Sequence, residues 1–176
     1  VPAIMILTCA WTLKAMTDSL GAAPFIHDVV EGSAEALQSF LPAIIFLIAV
    51  GLSFATGTSW GTFGILIPIV INVFGFNSGE ITIIAISACM AGAVCGDHCS
   101  PISDTTIMSS AGSQSNHINH VSTQLPYAIT VAAISFFTYL IAAFIQNAVV
   151  LLSIGVAVTI GSLFVIKSVT KNKQIG

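Results

Sequence analysis

The sequence has 176 residues, 56% of them hydrophobic and 6% charged, with four basic and seven acidic side chains and a formal net charge of -3. A soluble domain carries about 25% charged residues, so this composition, with its mean hydropathy of +1.01, excludes a soluble globular protein and describes an integral membrane protein surrounded by lipid. The small negative charge, with lysines that form no basic helical face, excludes a nucleic-acid partner.

Val1 to about Leu20 is apolar as far as Ala10 and then carries Trp11, Lys14, Thr17 and Asp18 before Gly21. Lys14 and Asp18 are four residues apart, so they share a helix face and can neutralise one another. At ~1.5 Å per residue Lys14 lies about 20 Å into the segment, where it either snorkels to an interface or is a buried cation; Lys14 and Asp18 are candidate modulators of a site. The chain begins without an initiator Met or a signal-peptide n-region, which reads as either a processed chain or, the favoured reading, a fragment of a longer protein. Cys9, Cys89, Cys95 and Cys99 fall in or beside apolar segments rather than loops, which fits free packed thiols and not a disulfide framework. His27 to Gln38, with Asp28, Glu31 and Glu35 and no cation, reads as an exposed acidic connection.

Residues 39–75 read as a re-entrant hairpin. Phe40 to Thr56 would span only about 25 Å as a helix, against a hydrocarbon core of about 30 Å. After the tip Thr56-Gly57-Thr58-Ser59-Trp60-Gly61-Thr62 comes a second short run, Phe63 to Phe74. Non-helical backbone at membrane depth is tolerated where it lines a cavity or is buried in protein; two ordinary spans with an exposed turn are the alternative.

Residues 81–111 read as one membrane helix broken in the middle. Small residues crowd its first half, as close helix packing in lipid requires. Gly96 suits a C′ position after a helix ending at Cys95, and Ser100-Pro101 suits the N-cap and N1 of a second helix. The break holds Asp97 and Asp104 among Ser100, Ser103 and Thr105. A carboxylate facing hydrocarbon costs about 2.5–3.5 kcal/mol on insertion scales, so such groups face protein or water and mark function. Read structurally, Asp97 would cap backbone at the break and Asp104 would sit in a favourable first helical turn.

Gly112 to Gln124 reads as a polar loop in which His117 and His120, lacking a third ligand, make a weak metal site. Two C-terminal spans then occupy 125–166, turning at Gln146-Asn147. Lys167, Lys171 and Lys173 place the C-terminus of a multi-pass cell-membrane protein in the cytoplasm. The Gly112–Gln124 loop is then cytoplasmic as well, and the hairpin enters from outside.

A cation site within a membrane needs hard oxygen ligands, a carboxylate, and carbonyls freed where helices are interrupted. Thr58 and Ser59 at the tip, with Asp97, Ser100, Ser103, Asp104 and Thr105 at the break, supply them if the two interruptions meet. Asp97 and Asp104 would be transient ligands of a sodium ion. Burial disfavours the charged carboxylate and a bound cation favours it, so proton and cation compete for one group. Two rival readings stand beside this one. Gly57-Thr58-Ser59-Trp60-Gly61 matches the nucleophile pattern of a hydrolase, but that pattern needs a strand-to-helix elbow. Cys95, His98 and Cys99 could hold a soft metal. His98 fits better as a pH-responsive imidazole or a bond across the break.

The run Gly92-Ala93-Val94-Cys95-Gly96-Asp97-His98-Cys99-Ser100-Pro101-Ile102-Ser103-Asp104-Thr105-Thr106, together with Gly57-Thr58-Ser59-Trp60-Gly61-Thr62 and Ala10-Trp11-Thr12-Leu13, resembles the NhaC-type sodium/proton antiporter family. The resemblance implies an all-α, polytopic fold that is one half of an inverted-repeat transporter, with a hairpin and a broken helix. It also implies sodium/proton antiport by alternating access, no enzymatic activity and no organic cofactor. The chain would be the C-terminal half, completed by a missing N-terminal repeat or by a homodimer. Because the family includes carriers of organic acids and amino acids, exchange of the malate/lactate type is the alternative. Lys14 departs from the glycine expected there in many relatives.

Overall fold

A computed structural model describes residues 35–74 and 79–173, and Thr12, Met16, Ser19 and Leu20 singly. Lys14, Asp18, Cys9 and the acidic residues Asp28 and Glu31 lie outside the described residues. Among the described residues six helices follow one another from Glu35: α1 (Glu35–Thr56), α2 (Ser59–Phe74), α3 (Glu80–Cys99), α4 (Asp104–Gly112), α5 (His117–Ala142) and α6 (Ala148–Lys173). Among the described residues there is no strand. Four segments among the described residues are long and apolar enough to cross a membrane, Ser39–Thr56, Glu80–Cys99, His117–Ala142 and Ala148–Lys167, while Ser59–Phe74 is shorter. This is an all-α, polytopic membrane fold.

The boundaries differ from the sequence reading in three places. α1 starts at Glu35 and takes the end of the acidic connection into the helix. α3 runs through Gly96 to Cys99 and ends on Ser100, whose N–H donates to Asp97 O, so the interruption is Ser100–Ser103 and not Gly96–Ser100. α5 begins at His117, nine residues before Pro126, because the Asn116 side chain accepts the Asn119 N–H and caps it. His117 and His120 are therefore helical.

α3 is the central element, and the register of its neighbours follows from its small residues. A Cβ on Gly92 would strike Phe46 O and Ala49, and one on Gly96 would strike Val50 O and Phe54 N, at distances real side chains do not adopt. Gly96 thus serves close packing rather than a helix end. Gly92 opposite Phe46 and Gly96 opposite Val50 make α1 and α3 parallel. α2 returns between them, with Leu66, Ile67 and Val70 against Ala85, Cys89 and Ile45. Approach of this kind is how membrane helices gain dispersion energy where lipid offers no hydrophobic driving force.

α5 runs antiparallel to α3, joined by Gln124 Nε2 to His98 O (2.9 Å) at one end and Ser87 Oγ to Tyr139 Oη (3.1 Å) at the other. The Tyr139 ring also packs on Phe46, centroids 5.4 Å apart. Asn147 Oδ1 accepts the N–H groups of Val149 and Val150 and starts α6, which runs back along α5 with Gly155 at Thr138. Most hydroxyls on α5 and α6 fold onto their own backbone, for example Thr130 Oγ1 to Pro126 O (2.8 Å) and Thr159 Oγ1 to Gly155 O (2.7 Å), so these polar side chains carry no unpaired donor into lipid. α1, α3 and α6 therefore point one way. The Lys167 end of α6 lies at the same end of the bundle as the α1–α2 turn and the α3–α4 break, since Ile166 shares a groove with Thr123 and Tyr127.

Candidate cation site at paired helix breaks

Two chain reversals meet at that end. α1 stops where Gly57 takes φ 67° and its N–H bonds Ser53 O at 2.8 Å, the left-handed ending that glycine adopts without a Cβ penalty. Thr58 Oγ1 accepts the Gly61 N–H at 3.5 Å and Thr58 O accepts from Thr62 Oγ1, so α2 starts at the next residue, Ser59. On the other chain segment, Ser103 Oγ caps α4 by accepting the Thr106 N–H at 3.3 Å, and Ser103 N–H closes on Ser100 O. The reversals touch: Gly57 lies against the Ile102 backbone.

Asp97 sits between them on the last turn of α3, 4% exposed. Ser59 Oγ donates to its Oδ2 at 3.1 Å, Ser103 Oγ to Oδ1 at 2.6 Å, and Thr105 Oγ1 to Oδ2 at 3.3 Å. Ser103 Oγ and Thr105 Oγ1 are themselves 2.7 Å apart. Hydroxyls from the first turns of α2 and α4 thus close on a carboxylate from α3, and the positive ends of the α2 and α4 dipoles face it. The carbonyl ends of α1 and α3 lie at the same level.

Of the residues singled out in the sequence, Asp97, Ser59, Ser103 and Thr105 are brought together. Ser100 is buried beside them, its Oγ accepting the Ile102 N–H, and holds the linker. Thr58 caps α2. Asp104 stands apart, exposed on the first turn of α4. His98 is exposed too, with Nδ1 2.9 Å from Val94 O on its own helix. It therefore reaches neither Ser59 nor the break, which removes the hydrolase triad. No group of three or more His, Cys, Asp or Glu able to hold a metal exists among the described residues, and Cys95 bonds toward Ala128 O, so the soft-metal reading fails as well. Cys89, Cys95 and Cys99 are free.

Two residues escape the sequence reading. Ser53, fully buried with its Cβ against Gly96, has no partner for its hydroxyl among the described residues. His117 reaches the break from α5, with Nε2 2.7 Å from Pro101 O and Nδ1 3.1 Å from Ser110 Oγ. Spacing within one segment could not reveal either; both depend on which helix lies opposite.

Apolar spans, one chain reversal folded beside another, and a hydroxyl-bound carboxylate at their junction describe a polytopic helical membrane protein. The model of the Na+/H+ antiporter family matches residues 1–144, and the chain belongs to that family. It is 43% identical over 171 residues to an uncharacterised protein of Haemophilus influenzae, covering 97% of this chain and 32% of that one. It is 33% identical over 141 residues to the arginine/ornithine antiporter ArcD of Halobacterium salinarum, covering 78% of this chain and 28% of that protein. It is 32% identical over 108 residues to the malate-2H(+)/Na(+)-lactate antiporter of Bacillus subtilis, covering 61% and 23%. The chain thus spans about a third or less of the length of these relatives. No solved structure matches it. Family membership points to a transport protein rather than an enzyme.

Proposed function

We propose that the full-length protein exchanges sodium for protons across the cell membrane by alternating access, with Asp97 as the group that proton and cation occupy in turn. The observation that carries this reading is the bonding of the Asp97 carboxyl. Three hydroxyls, Ser59, Ser103 and Thr105, make four close contacts with it and with each other. Three hydroxyl protons cannot serve four contacts. In the protonated carboxyl the Ser103 bond reverses and a proton on Oδ1 supplies the fourth: Oδ1 then donates to Ser103, Ser103 to Thr105, and Thr105 back to Oδ2, while Ser59 holds Oδ2. When that proton leaves, the carboxylate and the same three hydroxyl oxygens form a hard-oxygen set of the kind a small hard cation prefers, beside the carbonyl ends of two interrupted helices.

α1 and α2 act in this reading as a re-entrant hairpin whose tip faces the lysine-bearing, cytoplasmic end. The partner surface is the other repeat of the same protein or a second copy. Sodium-dependent proton flux in vesicles carrying the full-length protein tests the proposal: Asp97→Asn should abolish it, and unchanged flux would remove Asp97 from the mechanism.

A second reading follows from the names of two relatives, which exchange amino acids or organic acids. Here the Asp97 site binds the coupling ion, and the first turns of α2 and α4 favour a substrate carboxylate. Counterflow of arginine, malate or lactate in the same vesicles separates the two readings.

A further inference from the structure

The break is held from a third direction, by His117 on α5. Its Nε2 lies 2.7 Å from Pro101 O, the carbonyl following Ser100 in the linker, and its Nδ1 lies 3.1 Å from Ser110 Oγ at the far end of α4. Ser110 Oγ also donates to Ile107 O at 2.9 Å. Pro101 O only accepts, so Nε2 must carry a proton. Ser110 has one hydroxyl proton and two places for it, Ile107 O and His117 Nδ1. In the neutral ring with its proton on Nε2, Nδ1 is an acceptor and takes that proton from Ile107 O. In the imidazolium both ring nitrogens donate, and all three bonds form at once.

We infer that His117 is a positioning residue for the Asp97 site: it fixes the Pro101 carbonyl, and hence the Ser100–Ser103 linker that presents hydroxyls to Asp97, and it does so most firmly when protonated. This rests on the exchange reading above and adds to it a control point outside the ion site. The cleft that His117 lines is formed by Pro101, Ile102, Ile107, Ser110, Ala111 and Ser115, none of which titrates. The titratable groups on the elements around it are Glu80, Cys89, Cys95, Asp97, His98 and Cys99 on α3, Asp104 on α4, and His120, one turn further along, with Tyr127 and Tyr139 on α5. Asp97 is bonded into its hydroxyl cluster and His98 to Val94 O. Protonation of the His117 ring therefore tightens the linker, and its loss loosens it.

The test uses the full-length protein in lipid nanodiscs and vesicles. Amide hydrogen exchange of peptides covering 100–107, corrected for the intrinsic pH dependence of exchange, should slow about tenfold in wild type between pH 8.5 and pH 6. It should stay at the fast, alkaline level at both pH values in His117→Ala and in His117→Gln, which keeps a donor for Pro101 but cannot gain a proton. His120→Ala should behave as wild type, and α6 serves as an internal standard. Sodium-dependent proton flux in the two His117 variants should persist, with a pH profile displaced from that of wild type. Overlay of both exchange and flux profiles on wild type would overturn the inference. Loss of the response in His120→Ala instead would also overturn it, assigning the effect to the wrong histidine. Failure of the exchange reading shows separately, as Asp97→Asn flux equal to wild type, and leaves the hydrogen-exchange result standing.

Discussion

Gly57 packs directly on the carbonyl of Ile102, so close that a Cβ built on the glycine would fall 2.7 Å from that oxygen. Two constraints coincide there: a left-handed backbone at φ 67° and contact with a chain reversal distant in sequence. Gly57→Ala should therefore damage transport out of proportion to its size, because it separates Ser59 from Asp97 while leaving every polar ligand in place. We expect at least a tenfold loss of sodium-dependent proton flux at equal protein content. Wild-type flux in Gly57→Ala would mean that the spacing of the two reversals does not matter.

The two aspartates should separate sharply. Asp97 is buried and triply bonded, whereas Asp104 is exposed at a helix start. Asp97→Asn should lose flux to background. Asp104→Asn should retain most of it and cost a few tenths of a kcal/mol in stability, since a charge near a helix N-terminus contributes about 0.3–1 kcal/mol at an exposed site. Equal losses in both would show that Asp104 shares the ion site.

Ser103 serves Asp97 and caps α4 with the same oxygen. A hydrogen bond to a charged group contributes about 1.5–3 kcal/mol, so Ser103→Ala should weaken apparent sodium affinity roughly tenfold to a hundredfold. Thr105→Ala, which removes a 3.3 Å contact and no cap, should do less. Sodium titrations of flux at fixed pH give the comparison.

Close packing predicts a contrast along one interface. Gly96→Ala forces α1 and α3 apart, and overpacking of this kind costs about 1–3 kcal/mol. Gly51, on α1, has open space where a methyl group would go, with nothing within 4 Å, so Gly51→Ala should be neutral or gain up to about 1 kcal/mol of helix propensity. Thermal unfolding of the two variants in detergent, monitored by tryptophan fluorescence, checks both signs.

The membrane class and the two interruptions, at the Gly57 tip and after Cys95, are legible in the sequence because hydropathy and interrupted apolar runs are local signals; that the two meet is only a condition there, since pairing depends on tertiary packing. Ser59, Ser103, Thr105 and Asp97 stand out by residue type alone, and they converge. Local rules mislead at Gly96, a natural helix terminator that tertiary packing keeps inside α3, and at Ser100, which loses the capping role to Ser103. They cannot rank Asp97 above Asp104, since that depends on which carboxylate the first turn of α2 meets. His117 looks like a loop residue as long as Asn116, three residues before Asn119, goes unrecognised as a helix start.

The contact of Gly57 with Ile102 joins the two reversals into one continuous wall. Whatever covers this end of the bundle meets both together: the α1–α2 turn cannot be sealed while the linker stays wet, nor the reverse. Asp97, 4% exposed behind that wall, is screened by both reversals at once, so parting one from the other would admit water to it in a single step.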